Sequence, residues 1–331
     1  MTRCFVTGGT GFIGNHIVRT LIQKGHDVIV LVRKTSNMSL LDDVEVSTVI
    51  GDITDTGSLR DAIPNDIEWF FHNAAIMSDW GGKQHFWPVN VEGTRNVLDV
   101  LVEKGISNLI YTSSTALYGF PNSEEPMHED FPYKPANAYQ KSKLEAERIV
   151  WKYSEEHNFN ATAIRPPIVL GYGDMYTGPN ILKLMKSGDY TVFSGGKNKQ
   201  SIVHGEDVAR ALVLAAEKMD IANGNAYNVV SFTTEMREFA EMVADELGVA
   251  KDFRSIPYKV AVGLGALVGG LYRAFLRPEP PLITSFRVKM LGSNYIVDDT
   301  KIKEELGFES KWDRKETIED MVEWGGHIKP R

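Results

Sequence analysis

The chain has 331 residues, of which 43% are hydrophobic and 24% charged, and a net charge of -8. That length is long for one core, and the composition is that of an ordinary globular protein rather than a disordered or fibrous one. The negative charge argues against a nucleic-acid partner, and no apolar run approaches the ~18 residues needed to span a bilayer. From the N-terminus, Met1-Thr2-Arg3-Cys4-Phe5-Val6 runs straight into a predicted strand over 3–7, leaving no room for a signal peptide. Cys4 is the single cysteine, which rules out an intramolecular disulfide and fits a buried thiol in a reducing, cytoplasmic compartment. A helix is predicted over 12–24, ending at Gly25. Further strands are predicted over 27–32, 44–50, 67–72 and 108–112, with a long helix over 87–104 between the last two. A second long helix covers 138–156, and a sixth strand covers 161–164. After Arg165 the rhythm breaks into shorter elements punctuated by Pro166, Pro167, Gly171, Gly173, Gly178, Gly195 and Gly196. A helix over 205–219 and a strand over 226–229 return to the first lobe, and the C-terminal third is mostly helical. Strands alternating with helix-length amphipathic segments predict an α/β fold, a doubly wound parallel sheet with a smaller mixed C-terminal lobe.

Between the first strand and first helix stands Thr7-Gly8-Gly9-Thr10-Gly11-Phe12-Ile13-Gly14. In a Rossmann-type turn Gly8 permits the tight bend, Gly11 admits a pyrophosphate close to the backbone, and Gly14 lets helix and strand pack closely. Thr10, Gly11, Phe12 and Ile13 open a helix whose free N–H groups and positive dipole end face those phosphates. The alternative is a turn that merely happens to be glycine-rich; its place between two strands argues against that. Where the second strand ends, Leu31-Val32-Arg33-Lys34 offers two cations and no carboxylate, which favours NADP over NAD, although NAD remains compatible. Arg33 and Lys34 read otherwise as solvated loop charges. Asp52, followed by Ile53, is placed for the adenine amino group or is an ordinary turn aspartate. On this reading residues 1–165 with about 203–231 form the nucleotide domain, and 166–202 with 232–331 the substrate-binding lobe.

Tyr139-Gln140-Lys141-Ser142-Lys143 places Tyr139 and Lys143 at i and i+4 on one helix face. A phenol of ordinary pKa near 10 is a poor base at neutral pH. A neighbouring ammonium and an oxidised nicotinamide would lower that pKa, so that Tyr139 exchanges a proton with an alcohol or ketone as hydride moves. Upstream, Thr112-Ser113-Ser114-Thr115-Ala116-Leu117-Tyr118-Gly119 follows a strand whose carboxyl end should border the ligand crevice. A serine hydroxyl there can orient the substrate oxygen; strand-end capping accounts equally for one of the two serines.

Taken in order, the glycine turn, Gly-Asp-Ile-Thr-Asp (51–55), His-Asn-Ala-Ala (72–75), Val-Asn-Val-Glu-Gly-Thr-Arg-Asn (89–96), the serine segment and Tyr-Gln-Lys-Ser-Lys resemble the extended short-chain dehydrogenase/reductase superfamily. The resemblance covers nearly the whole chain. It implies a catalytic triad of Ser114, Tyr139 and Lys143, with Lys143 also holding the nicotinamide ribose. It implies further that Asn73, Ala74 and Ala75 pass along the cofactor, that Asn90 supports the nicotinamide region, and that Pro166 to Ile168 line the nicotinamide. Ser114 is preferred to Ser113 for its spacing to Tyr118-Gly119.

Nucleotide-sugar epimerases and dehydratases of this superfamily carry Arg-Asp-Tyr/Phe-Ile-His, where this chain has Gln200-Ser201-Ile202-Val203-His204. The missing arginine weakens that reading, although Lys197, Lys199 or Arg254 could supply the charge. The C-terminal third is similar to the 3β-hydroxysteroid dehydrogenase and dihydroflavonol-reductase-like branch, through Ile256-Pro257-Tyr258, Arg277-Pro278-Glu279-Pro280-Pro281-Leu282 and residues 298–307. The implied activity is hydride exchange between NADP and a secondary alcohol or ketone of an apolar, sterol- or flavanonol-like substrate. The alternatives are a sugar-nucleotide epimerase or dehydratase using the same triad, and a non-catalytic NADP-sensing regulator, which would not need Tyr139 and Lys143. The apolar stretch 260–272 is too short to span a bilayer and reads as a core helix, a substrate lid or a peripheral membrane contact. The eight histidines show no metal-ligand spacing, and a homodimer is compatible with the chain.

Overall fold

The computed structural model describes residues 1–78, 80–275 and 284–327. Its first seven strands in chain order are β1 (Arg3–Thr7), β2 (Asp27–Val32), β3 (Ser47–Ile50), β4 (Trp69–His72), β5 (Asn108–Thr112), β6 (Asn160–Arg165) and β7 (Ile168–Leu170). They are followed by β8 (Thr191–Phe193), β9 (Lys199–His204), β10 (Ala226–Asn228), β11 (Phe232–Glu235) and β12 (Arg254–Ile256). A seven-stranded sheet runs β10-β6-β5-β4-β1-β2-β3, with every pair parallel. The chain reverses its winding between β1 and β4, where open α/β sheets bind ligands. The glycine turn sits at the carboxyl end of β1, at that switch point.

The central strands read as continuous apolar runs because both sheet faces are covered. On one face Val6, Val30, Ile110 and Ile164 pack against Ile17 and Leu21 of the Phe12–Gln23 helix and Val208 and Leu212 of the Gly205–Glu217 helix. On the other, Phe5, Phe70 and Leu109 meet Val97 and Leu101 of the Gly93–Lys104 helix and Ile149 of the Ala138–His157 helix. Two small sheets, β11-β9-β7 and β12-β8, stand beside this core. The helices Met236–Leu247, Tyr258–Ala274, Ser285–Gly292, Thr300–Leu306 and Arg314–His327 complete the C-terminal third.

Several element limits differ from expectation for identifiable reasons. The strand expected over 44–50 starts only at Ser47, because the Val44 amide closes a turn onto the Leu41 carbonyl at 3.0 Å. The helix expected over 87–104 is regular only from Gly93. Its first turn, Trp87–Glu92, is π-helical, and the Gly93 N–H reaches back to the Pro88 carbonyl. Such bulges recur at functional sites, and this one carries Asn90. The helix expected over 205–219 stops at Glu217. A short helix, Thr56–Ala62, had not been anticipated; Asp55 caps it, accepting from the Gly57 and Ser58 amides.

The stretch 260–272 lies in the Tyr258–Ala274 helix and is not a core helix. Ala261 is buried, but Val260, Leu264, Leu267 and Leu271 form an exposed stripe, with Leu267 62% exposed. The opposite side carries Gly265, where an added Cβ would stand 2.6 Å from the Ser285 amide. Helix and following segment thus approach closely because that position lacks a side chain. No helix among the described residues is long and apolar enough to cross a membrane. The Arg277–Leu282 motif lies outside the described residues.

Candidate active site

The glycine turn has the shape a dinucleotide phosphate needs. Gly8 has φ +70°, and a Cβ there would meet the Ala74 amide at 2.8 Å; a Cβ on Gly14 would collide with the Gly8 carbonyl. The Gly11 amide closes the turn onto the Gly8 carbonyl at 3.1 Å. Gly11 caps the Phe12–Gln23 helix, and among the described residues no side chain accepts from its first-turn N–H groups. Asn73 runs alongside, its side-chain amide donating to the Gly8 carbonyl at 3.3 Å, while the Asn73 and Ala74 amides both donate to Thr7 Oγ1 at 3.2 Å. Residues 73–75 therefore border the turn. Arg33 and Lys34 are exposed just past the end of β2. Asp52 makes a local turn, one carboxyl oxygen accepting from the Thr54 amide and hydroxyl at 2.8 Å. The Ile53 side chain is buried against Gly93, and its carbonyl accepts from the Asn96 side-chain amide at 2.9 Å.

Beside the turn, His72 explains a demand the sequence did not show. Thr7 Oγ1 already accepts two amides, so its own proton goes to His72 Nδ1 at 2.8 Å. His72 Nε2–H then donates to Thr94 Oγ1 at 3.0 Å, whose proton goes to the Asn90 carbonyl at 2.8 Å. The imidazole is held neutral, and burial, with the Lys143 charge nearby, pushes its pKa down to about 3. In the unfolded chain this group protonates near pH 6.5, so folding stability is lost as pH falls through that value toward 3. The expected result is that the stability advantage of wild type over His72→Gln shrinks by about 2 kcal/mol between pH 7 and pH 5 in urea titrations. An advantage independent of pH would show that His72 does not stay neutral in the fold.

The Ala138–His157 helix presents Tyr139, half-buried, and Lys143, buried, on one face, its start fixed by Asn137, which accepts from the Gln140 amide. Asn90 clamps that helix to the cofactor side. Its Oδ1 accepts from the Ile76 amide at 2.7 Å and its Nδ2 donates to Ser142 Oγ at 2.9 Å, and Ser142 in turn donates to the Tyr139 carbonyl. Ser113 and Ser114 separate cleanly in role. Ser113 is buried, with its hydroxyl donated to Glu147. Ser114 is half-buried at the start of the short Thr115–Tyr118 helix; its hydroxyl oxygen accepts from the Ala116 amide at 3.1 Å, and the hydroxyl acts on the Tyr139 phenol, favouring its ionised form. Thr115 ties this turn to the Pro166 carbonyl at 3.1 Å, so Pro166 and Ile168 lie next to it.

Burial drives the Tyr139 phenol up to about 12, and the Ser114 hydroxyl works against that. The Lys143 ammonium donates to the Thr112 carbonyl at 2.7 Å and the Tyr111 hydroxyl at 2.9 Å, leaving one N–H uncommitted. Burial lowers Lys143 to about 7, and Glu147, one turn further along the helix, works against that. Glu147 is itself engaged by Arg165 through two donors, by Ser113 and by Trp151. The sequence did contain a signal for Glu147, since 139, 143 and 147 share one face.

Tyr139 opens onto a cavity of about 200 Å3 lined by Trp80, Phe86, Phe120 and Phe286, by Gly265 and Gly269 of the Tyr258–Ala274 helix, and by polar groups that include Asn137 and Lys289. These aromatic residues lie far apart in sequence and only the fold gathers them. Gln200, at the position of the sugar-enzyme arginine, does not enter the cavity; it is buried and donates to the Met290 and Ser293 carbonyls at 2.8 and 2.7 Å. Lys197, Lys199 and Arg254 are exposed and outside the cavity lining. Cys4 is buried and held near pKa 12, an inert thiol.

The sequence profile of the NAD dependent epimerase/dehydratase family matches residues 4–229. The 3beta-hydroxysteroid-dehydrogenase/decarboxylase isoform 1 of Arabidopsis thaliana is 28% identical over 98% of this chain and 80% of that protein. The 2-alkyl-3-oxoalkanoate reductase of Stenotrophomonas maltophilia is 27% identical over 92% and 94%. Among solved structures, gox2253 superposes with a TM-score of 0.83 at 28% identity, covering 98% of both chains. A UDP-glucose 4-epimerase of Thermotoga maritima superposes at 0.77 with 23% identity, again over 98% of both, which shows the shared fold.

Proposed function

The chain belongs to the NAD dependent epimerase/dehydratase family, and from that premise we propose that it is an NADP-dependent oxidoreductase acting on a secondary alcohol or ketone with an apolar body. The observation that carries this reading is the cavity in front of Tyr139, whose described lining sets Trp80, Phe86, Phe120 and Phe286 beside small polar groups and one cation, Lys289, rather than the several cations a sugar diphosphate calls for. Gln200 supports it, because the residue that would grip a diphosphate is an amide turned toward the Met290 and Ser293 carbonyls. The named relatives act, by their names, on a hydroxysteroid and on a 2-alkyl-3-oxoalkanoate, molecules with a hydrocarbon body.

The residues divide the work as follows. Gly8, Gly11 and Gly14 would hold a dinucleotide at the turn, and that group would supply or accept the hydride. Tyr139, protonated at neutral pH because burial raises its pKa, donates its proton to the carbonyl oxygen in reduction and recovers it in oxidation. Ser114 hydrogen-bonds Tyr139 and orients the same oxygen. Lys143, fixed by Thr112 and Tyr111, has one N–H left for a ribose hydroxyl. The test is NADPH absorbance with apolar ketones: one NADPH consumed per ketone supports the reading, and turnover of a UDP-sugar without net NADPH consumption sinks it.

The preference for NADP rests on Arg33 and Lys34 at the end of β2. Arg33→Asp is expected to weaken NADPH relative to NADH by about 10- to 100-fold, the scale of one charge-assisted hydrogen bond. Comparing kcat/KM for the two nucleotides checks this. Better use of NADH by the unaltered protein would remove the assignment.

A further inference from the structure

The Tyr258–Ala274 helix is packed inside out. Its buried described residues are the small ones, Ala261, Gly265 and Gly269, spaced four apart, with Gly265 set against the Ser285 amide. Its large apolar residues, Val260, Leu264, Leu267 and Leu271, stand in solvent, and Phe275 just beyond is 73% exposed. A surface helix of a globular protein ordinarily turns its large apolar side inward. A contiguous exposed stripe of this kind marks a docking surface. The charge around it selects the partner. Residues 254–292 contain six lysines and arginines and one acid, Glu279, in a chain whose net charge is -8. Arg254 and Lys259, at the approach to the helix, are exposed. A second copy docking through the same face would set this cationic segment against itself. An anionic surface attracts it and turns the acidic remainder of the molecule away.

We propose that this helix docks on an anionic lipid bilayer, lying in the plane of the interface with Val260, Leu264, Leu267 and Leu271 among the acyl chains and the neighbouring cations at the headgroups. The helix is 17 residues long and its buried side is committed to the protein, so it lies on the bilayer rather than crossing it. That inner side also lines the Tyr139 cavity, through Gly265, Ala266 and Gly269. Docking therefore sets the acyl region about one helix diameter, ~10 Å, from the cavity. The docking rests on the helix and its charges, whatever the reaction.

Flotation with large vesicles reads the docking without turnover. The unaltered protein is expected to float with vesicles of mixed phosphatidylcholine and phosphatidylglycerol, and to bind phosphatidylcholine alone about 10-fold or more weakly. The double variant Leu267→Glu with Leu271→Glu should lose about 100-fold in affinity for the mixed vesicles. Both side chains are exposed and outside the cavity lining, so NADPH binding and the unfolding midpoint should not move. Leu267→Cys, labelled with a polarity-sensitive fluorophore, reads the face directly, because Cys4 is buried and does not compete. Its emission should shift to the blue when mixed vesicles are added. No shift, or equal affinity for the two kinds of vesicle, would overturn the proposal. So would a dimer in light scattering that the double variant splits into monomers while the unaltered protein ignores vesicles, which would make the face an interface between copies.

Discussion

Replacing Tyr139 by phenylalanine is expected to reduce turnover by about 100- to 10,000-fold, the range removed with a positioned general acid. Dinucleotide affinity should stay unchanged. The change deletes one hydroxyl and keeps the ring, which packs against Phe86 with centroids 5.8 Å apart, so the fold has little reason to respond. The hydroxyl's protein partner is Ser114, which can turn to water or substrate when the phenol is gone. The cofactor cradle is built elsewhere, from Gly8, Gly11, Gly14 and Asn73, and shares no hydrogen bond with the phenol. Stopped-flow NADPH oxidation and a fluorescence titration of NADPH read the two halves separately. Full turnover in the variant would remove Tyr139 from the chemistry, and loss of NADPH binding would make it a cofactor residue instead. Because burial raises this phenol to about 12, reduction starts from the protonated acid at every pH near neutrality. Oxidation needs the opposite form and should accelerate as pH rises.

Much of this arrangement was legible because it is local. β1, β2 and β5 occupy the limits that alternation and β-branched content predict, and Tyr139 and Lys143 face the same way because helix geometry requires it. The glycine turn announces itself by conformations only glycine adopts easily, such as φ +70° at Gly8. Other features depend on contacts between distant segments. The spacing of Val260, Leu264, Leu267 and Leu271 is the same in a buried helix and in one that exposes its apolar side, so periodicity could not decide between them. The cavity wall carries no sequence pattern; Phe86, Phe120 and Phe286 come from distant segments and meet Tyr139 only in the fold. The direction of the Lys143 ammonium was hidden for the same reason, since Thr112 and Tyr111 belong to a neighbouring strand rather than to its helix.

Arg165→Met should destabilise the protein by about 3–5 kcal/mol, the cost of leaving a buried charge without its partner. Arg165 ends β6 with its side chain almost fully enclosed, and its guanidinium reaches Glu147 through two donors, the Tyr118 and Tyr133 hydroxyls, and the Glu129 carbonyl. Burial opposes the Arg165 charge, but the hydrogen bonds to Glu147 outweigh it and hold the guanidinium above its ordinary pKa. Removing it strands the Glu147 carboxylate with only Ser113 and Trp151 as donors. The double variant Arg165→Met with Glu147→Leu, which removes both charges, should recover much of that loss, because a buried pair replaced by apolar groups of similar volume is often close to neutral. Its activity should not recover, since Glu147 is the group that opposes the fall in the Lys143 pKa. Without it the ammonium loses its proton at a lower pH, and the alkaline limb of the activity profile moves toward acid. Urea unfolding and a pH–rate profile, measured on the same two proteins, test both halves. A double variant as unstable as the single one would mean that the energy lies in packing around Arg165. An unmoved pH profile would mean that Glu147 has no part in holding the Lys143 charge.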